Sequence, residues 1–149
     1  AAADVLATMV ADQPQAFEPK DRWAMDWYYP VLTGCLGAER AKARLADLWP
    51  TFAMEGLGVR CVSDESWITA SETAECSIAH AAIGDLSTAA DLLHWTRPHR
   101  CDDGSYLTGI VYPSGETFPP HETSAYTGAA VVLASLAIST AYLWVRYFA

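Results

Sequence analysis

The stretch SWITASETAECSIAHAAIG, residues 66–84, decides how the fold is read. Its apolar and small residues recur at helical spacing, and Glu72, Glu75, Cys76 and His80 share one stripe. Gly84 ends the pattern and Asp85 opens the next one as a cap. The expectation is a single helix, apolar nearly all round, with its carboxylates toward the N-terminal end. Thr69 followed three residues later by Glu72 forms a capping box, in which Glu72 closes on the Thr69 backbone amide. His80, deep along an apolar helix, reads as a core histidine with its polar atoms satisfied.

Helices flank this stretch on both sides. The first covers about residues 2–10, with Val5, Leu6 and Met9 at helical spacing; the second starts near Asp26 as cap, holds Pro30 in its first turn and stops at Gly37. AERAKARLADLW, residues 38–49, is the third. It sets Ala41, Leu45, Leu48 and Trp49 on one face and Arg40, Arg44 and Asp47 on the other. The fifth runs from the Asp85 cap through Leu86, Ala89, Ala90 and Leu93, and the sixth from about Ala125 into the apolar tail. Period-2 alternation is almost absent between them, so the chain is expected to be all-α, one domain over 1–149 with about six helices. The second, fourth and sixth are apolar nearly all round, whereas the third and fifth have a wet face. YPVLTGCLG from Tyr29, ETAECSIAHAAIG from Glu72 and YTGAAVVLASLAI from Tyr126 can be laid over one another, the mark of repeated hairpins in a solenoid or closed ring.

Composition narrows the function. Eighteen acidic residues against nine basic give a net charge of -9, which repels a phosphate backbone and argues against nucleic acid as a partner. The four cysteines show no CxxC pair and no signal-peptide pattern opens the chain, so reduced thiols and a cytoplasmic location are expected. Residues 127–145 are uncharged and about long enough to cross a bilayer. Gly128, Ser135, Ser139 and Thr140 within them suit close helix packing, and a soluble inner helix is the reading adopted. Cys76 and His80 lie one helical turn apart with Cys61 as a third candidate ligand, but neither CxxC nor HExxH accompanies them, so no metal and no cofactor are expected.

The segments MDWYYPVL, GLGVRCVSDESWITASETAEC, DDGSYLTGIVYP and TSAYTGAAVVLA, in this order over about residues 20–138, resemble actinobacterial prenyltransferase-like proteins. Those in turn are similar to the (α/α) toroids of six-hairpin glycosidases and terpene cyclases. The resemblance implies a ring of helical hairpins with twice the helices counted here, so the chain would be its C-terminal half. The opening AAADV, already inside a helix, agrees with a start in mid-domain.

In such a ring the inner helices run parallel and their N-termini meet at one mouth. Asp26, Trp27, Tyr28, Tyr29, Trp67, Glu72, Glu75, Glu122 and Tyr126 would then line one funnel, with Tyr106 and Tyr112 on the loop over its rim. Carboxylates among aromatic rings suit a sugar site, where rings grip the apolar sugar faces and acids move protons. Glu75, Glu72, Asp26 and Glu122 are the candidate catalytic groups; Trp27, Tyr28, Tyr29, Arg60, Trp67, Tyr106, Tyr112 and Tyr126 the candidate substrate contacts. Plainer roles stand beside these: a helix cap for Asp26, an ion pair with Arg60 for Glu75, solvation for Asp102 and Asp103. If Arg60 points elsewhere, Glu75 is the better general acid. The leading expectation is a carbohydrate-active domain, hydrolytic or glycan-binding, with a small-molecule or glycan ligand. An isoprenoid-handling enzyme and a non-catalytic half-ring needing a partner are the alternatives, and an uncovered apolar edge would make the chain a homo-oligomer or the partner of a missing N-terminal half-ring.

Overall fold

The computed structural model describes residues 2–148. Among them are six α-helices: α1 (Ala2–Asp12), α2 (Ala24–Leu32), α3 (Ala38–Phe52), α4 (Ala70–Ala82), α5 (Leu86–Trp95) and α6 (Ala125–Phe148). Five short strands accompany them: β1 (Ala53–Met54), β2 (Gly58–Arg60), β3 (Trp67–Thr69), β4 (Gly109–Val111) and β5 (Glu116–Thr117). They form one antiparallel sheet in the order β1-β2-β3-β4-β5. The expected all-α (α/α) toroid, and the half-ring built from it, are therefore corrected: the architecture is mixed α/β, with an open sheet where rim loops were expected. Each strand is two or three residues long, too short for alternation to register in a sequence. The key pairing is also remote, since Trp67 lies opposite Val111 and Ile68 opposite Ile110 with α4 and α5 between them.

The stretch 66–84 turns out to be two elements joined without a linker. Trp67–Thr69 is strand, and α4 begins at the next residue. Thr69 is the helix N-cap, but its side chain caps no amide; its hydroxyl donates to the Glu72 carboxylate instead. The capping box is thus replaced by a hydroxyl–carboxylate bond, because the Thr69 backbone is already paired in the sheet with Val59 and Gly109. The Ala70 amide of the first turn donates to the Thr108 carbonyl at 3.2 Å. Thr73, one turn on, ties α4 to β2: its Oγ1 accepts from the Val59 amide at 2.9 Å and donates to the Thr69 carbonyl at 2.7 Å. Gly58 permits this approach. A Cβ there would lie 2.6 Å from Ile68 Cγ2 and 2.7 Å from Thr73 Oγ1, at a φ of +137°.

Helix α4 is the centre of the molecule, packed by α2, α5 and α6 and by β2. Its small residues make this possible. Cys76 and Ala79 join Trp27, Tyr28, Leu45, Phe52 and Leu92 in one apolar cluster, and Ala74 meets Ala130, Val131 and Ala134 of α6 in another. Ser77 donates to the Ala89 carbonyl of α5 at 2.7 Å, so its hydroxyl is buried without loss. The Asp85 cap of α5 accepts from the Thr88 amide, as the sequence implies. Helix α6 departs from expectation. Among its described side chains the buried ones form the stripe Thr127, Ala130, Val131, Ala134 and Ile138, while Ser135 and Ser139 face outward with Val132, Leu133 and Leu136. It is an amphipathic cover and not an inner helix. Among the described residues no helix is long and apolar enough to cross a membrane, and the side chains at 142–149, which include the end of the uncharged segment, lie outside the described residues.

Candidate functional site

The site forms where the N-terminal half of α4 meets α2 and the start of α6. Glu75 projects from the second turn of α4 and remains partly exposed. Its Oε2 accepts from the Tyr28 hydroxyl at 2.7 Å and its Oε1 accepts from the Tyr126 hydroxyl. The Tyr29 hydroxyl lies 3.5 Å from that of Tyr126. Three helices thus bring one carboxylate and three phenols together. Tyr28 is wholly buried, whereas Tyr126 is 57% exposed. Burial, then the Glu75 and Glu72 charges, push the Tyr28 phenol far above its ordinary range. Burial and the bond to Glu75 raise Tyr126 as well, and burial raises Tyr29. All three phenols therefore keep their protons and serve as donors.

Glu72 has a different setting. It is buried at 8% exposure, accepts from the hydroxyls of Thr69 and Ser71, the latter at 2.7 Å, and receives the Cys61 thiol at 3.7 Å. Neutral donors and the first turn of a helix satisfy this carboxylate. Burial and the neighbouring Glu72 push the Cys61 thiol up to about 12. Cys76 is raised by burial alone. Neither thiol forms a thiolate ligand readily, and among the described residues no group of three or more His, Cys, Asp and Glu is arranged around a metal position. His80 sits against Asp85, Nδ1 to Oδ2 at 3.0 Å, while its Nε2 has no partner among the described residues.

The other candidates lie elsewhere. Arg60 donates weakly to the Ser63 carbonyl at 3.4 Å, its Nε has no partner among the described residues, and the two described partners of Glu75 are tyrosines, so the expected ion pair is replaced by phenol donors. Asp26 is the third residue of α2 and not its cap; its carboxylate faces Arg44 at 3.6 Å. Trp27 is core, stacked on Phe52 at 5.5 Å and donating to the Arg44 carbonyl at 2.9 Å. Trp67 donates to the Phe118 carbonyl at 2.9 Å, Tyr106 packs against the α4–α6 cluster, and Tyr112 follows β4 on the sheet side. Glu122 is exposed in the loop before α6 and accepts from Thr108 at 2.9 Å. Of the predicted funnel, the structure assembles Tyr28, Tyr29, Glu75 and Tyr126, with Glu72 one turn back along α4.

Sequence reasoning missed Trp23. It is 41% exposed and forms, with Lys20, Met25, Asp26 and Tyr29, part of a groove of about 720 Å³ between α1 and α2. The adjoining residues RWAMDWYY concentrate aromatic and charged groups, which is the signal that was available.

No family model matches the chain. Over 134 residues, 90% of this chain, it is 47% identical to a protein of Mycolicibacterium hassiacum described as an MMP endo-(1,4)-3-O-methyl-alpha-D-mannosidase. The chain spans 37% of that protein's length. This likeness to a mannosidase, together with the sheet, corrects the resemblance to prenyltransferase-like toroid proteins.

Proposed function

We propose that the chain forms part of a carbohydrate-active protein, a glycoside hydrolase acting on an α-linked mannose polymer that carries methyl ethers. The observation that carries this reading is the 47% identity to a 3-O-methyl-mannosidase across 90% of the chain. The Glu75 cluster supplies chemistry of the right kind. Glycoside hydrolysis uses a pair of carboxyl groups, one protonating the departing oxygen and one accepting a proton from water or attacking the anomeric carbon. Both described partners of Glu75 are donors, so its geometry suits the proton-accepting or attacking member of such a pair rather than the acid. Tyr28, buried and fixed, orients the carboxylate. Tyr126, largely exposed, is placed to release its bond to Glu75 and meet a sugar hydroxyl. Glu72, closed off by three donors, supports the helix start.

The protein is to be incubated with 3-O-methylated α-(1→4)-mannose oligosaccharides and with their unmethylated counterparts, and new reducing ends counted. Cleavage of the methylated series is expected, and Glu75→Gln should lower the rate by about a hundredfold or more, the usual scale for losing a proton-transfer group. Glu72→Gln should spare most of the rate. Failure of the unaltered protein either to cleave or to bind any of these oligosaccharides overturns the reading.

A further inference from the structure

Two grooves meet at Trp23, and both are lined by aromatic rings. The first, about 720 Å³, has Leu6, Val10, Met25 and Pro30 for walls, with Tyr29 at the Glu75 cluster. The second, about 350 Å³, holds Trp67 and Phe118 with Val62 and Val111, and carries Arg22 and Glu65. Trp23 lines both. Volumes of about 300–1,000 Å³ are those of small-molecule sites.

Trp23 is held as a fixed platform. Its amide donates to the Lys20 carbonyl at 2.8 Å, its backbone bridges Val62, and the following Ala24 amide reaches the Cys61 carbonyl at 3.0 Å. The Arg22 guanidinium lies 5.3 Å from the Trp23 ring centroid and pairs with Asp64 at 3.1 Å, which orders the ring from its side. In the second groove the Trp67 bond to the Phe118 carbonyl and the edge-on contact of the two rings at 5.4 Å fix the next aromatic surface. Phe118 is 53% exposed and Trp23 41%. The exposed rings of Phe118 and Trp23 beside the partly buried Trp67 make a track, not a core.

From this we infer that an extended, partly O-methylated glycan runs from the Glu75–Tyr126 cluster through the first groove, over Trp23, and into the second groove. The inference rests on the glycosidase reading above and adds the path and the residue that selects chain length. A pyranose ring has an apolar C–H face that packs on an aromatic ring and a rim of oxygens that needs polar partners. Lys20 and Asp26 in the first groove, and Arg22 and Glu65 in the second, supply such partners. Methyl ethers remove hydroxyl donors that apolar walls would leave unpaired and add surface that those walls bury. Trp23, at the junction, lines the first groove as well, but meets a second stretch of sugar only in a chain long enough to leave that groove.

Calorimetric titration with the di-, tetra- and octasaccharides of 3-O-methyl-α-(1→4)-mannose tests the path. The unaltered protein should bind more tightly as the chain lengthens. Trp23→Ala should weaken the octasaccharide about tenfold and the disaccharide by clearly less, because only the longer chain meets this ring from both grooves. Trp23→Tyr should restore most of the length dependence. Phe118→Ala, at a more exposed position, should show the same selective loss if Trp23→Ala fails to fold. Equal weakening of all lengths, or none, overturns the path while the glycosidase reading survives. Absence of binding by the unaltered protein overturns both.

Discussion

Pro30 is the seventh residue of α2 and has no amide to give the Asp26 carbonyl one turn back. Arg44 of α3 supplies the missing donor: its terminal nitrogen reaches the Asp26 carbonyl at 2.6 Å and its Nε the Trp27 carbonyl at 2.7 Å. A proline that would break a free helix is thus held by a side chain on its neighbour. Arg44→Ala should lower the unfolding free energy in urea by about 1.5–3 kcal/mol, the range for hydrogen bonds to a charged group. Arg44→Lys should recover only part, because one ammonium cannot span both carbonyls. The two buried histidines give a pH signature. Burial lowers His99 below its ordinary 6.5 against the bond to the Ile68 carbonyl, and lowers His80 against the pull of Asp85. Nε2 of His99 faces the Ile68 carbonyl at 3.3 Å and carries the proton, and Nδ1 has no partner among the described residues. Both are neutral in the fold, while the unfolded chain takes up protons as pH falls through about 6.5, so stability is full above that value and declines below it. The melting temperature should be lower at about pH 5.5 than at about pH 7.5, with a shallower fall in His99→Gln; equal melting at both would contradict the assignment. At this scale the sequence set Glu75 apart from Glu72 as a candidate, because its position on α4 excludes a capping role. It did not reveal Tyr28 and Tyr126 as the partners in place of Arg60, since those contacts span three helices.

Among the elements, the sheet depends on how closely β3 and β4 approach at Gly109. A Cβ on Gly109 would stand 2.1 Å from Trp67 Nε1 and 2.9 Å from the Ile68 carbonyl. Both are held in place, the indole by Phe118 and the carbonyl by the strand and His99. Gly109→Ala should therefore cost about 1–3 kcal/mol or more, as overpacking does, and loosen the β3–β4 pair first. Denaturant titration with amide exchange at Ile68 and Ile110 reads both effects, and an unchanged midpoint would argue against a tight approach. Helices α3 and α5 were legible because an apolar stripe or a side-chain cap marks them: Ala38 starts α3 where the pattern begins, and Asp85 caps α5. The strands were not. WIT and GIV are three residues each, and only their long-range register makes them a sheet. The cap of α2 is Trp23, three residues before the expected Asp26, because Asp26 works against Arg44 instead, and the helix ends at Leu32, short of the expected Gly37.

For the molecule as a whole, a small-residue helix at the centre lets four neighbours pack around it, and what remains apolar is displaced to α6. Val132, Leu133 and Leu136 are each more than half exposed, beside a groove of about 810 Å³ lined by Ile78, Ala81, Leu86 and Ala137. A contiguous apolar face of this kind drives association. The chain should self-associate with rising concentration, and Leu133→Lys with Leu136→Lys should abolish it; a constant monomer mass by light scattering would count against this surface. The direct passage of β3 into α4 carries a last consequence. With Thr69 in the ladder and Ala70 in the helix, the strand fixes the angle at which the helix starts, as a keyway fixes a shaft. One residue added at that joint would turn everything beyond it by about 100°. The Glu75 carboxylate would swing away from Tyr28 and Tyr126 although both still stood in their own helices, so the aim of the site is set by the timing between a three-residue strand and the helix it feeds.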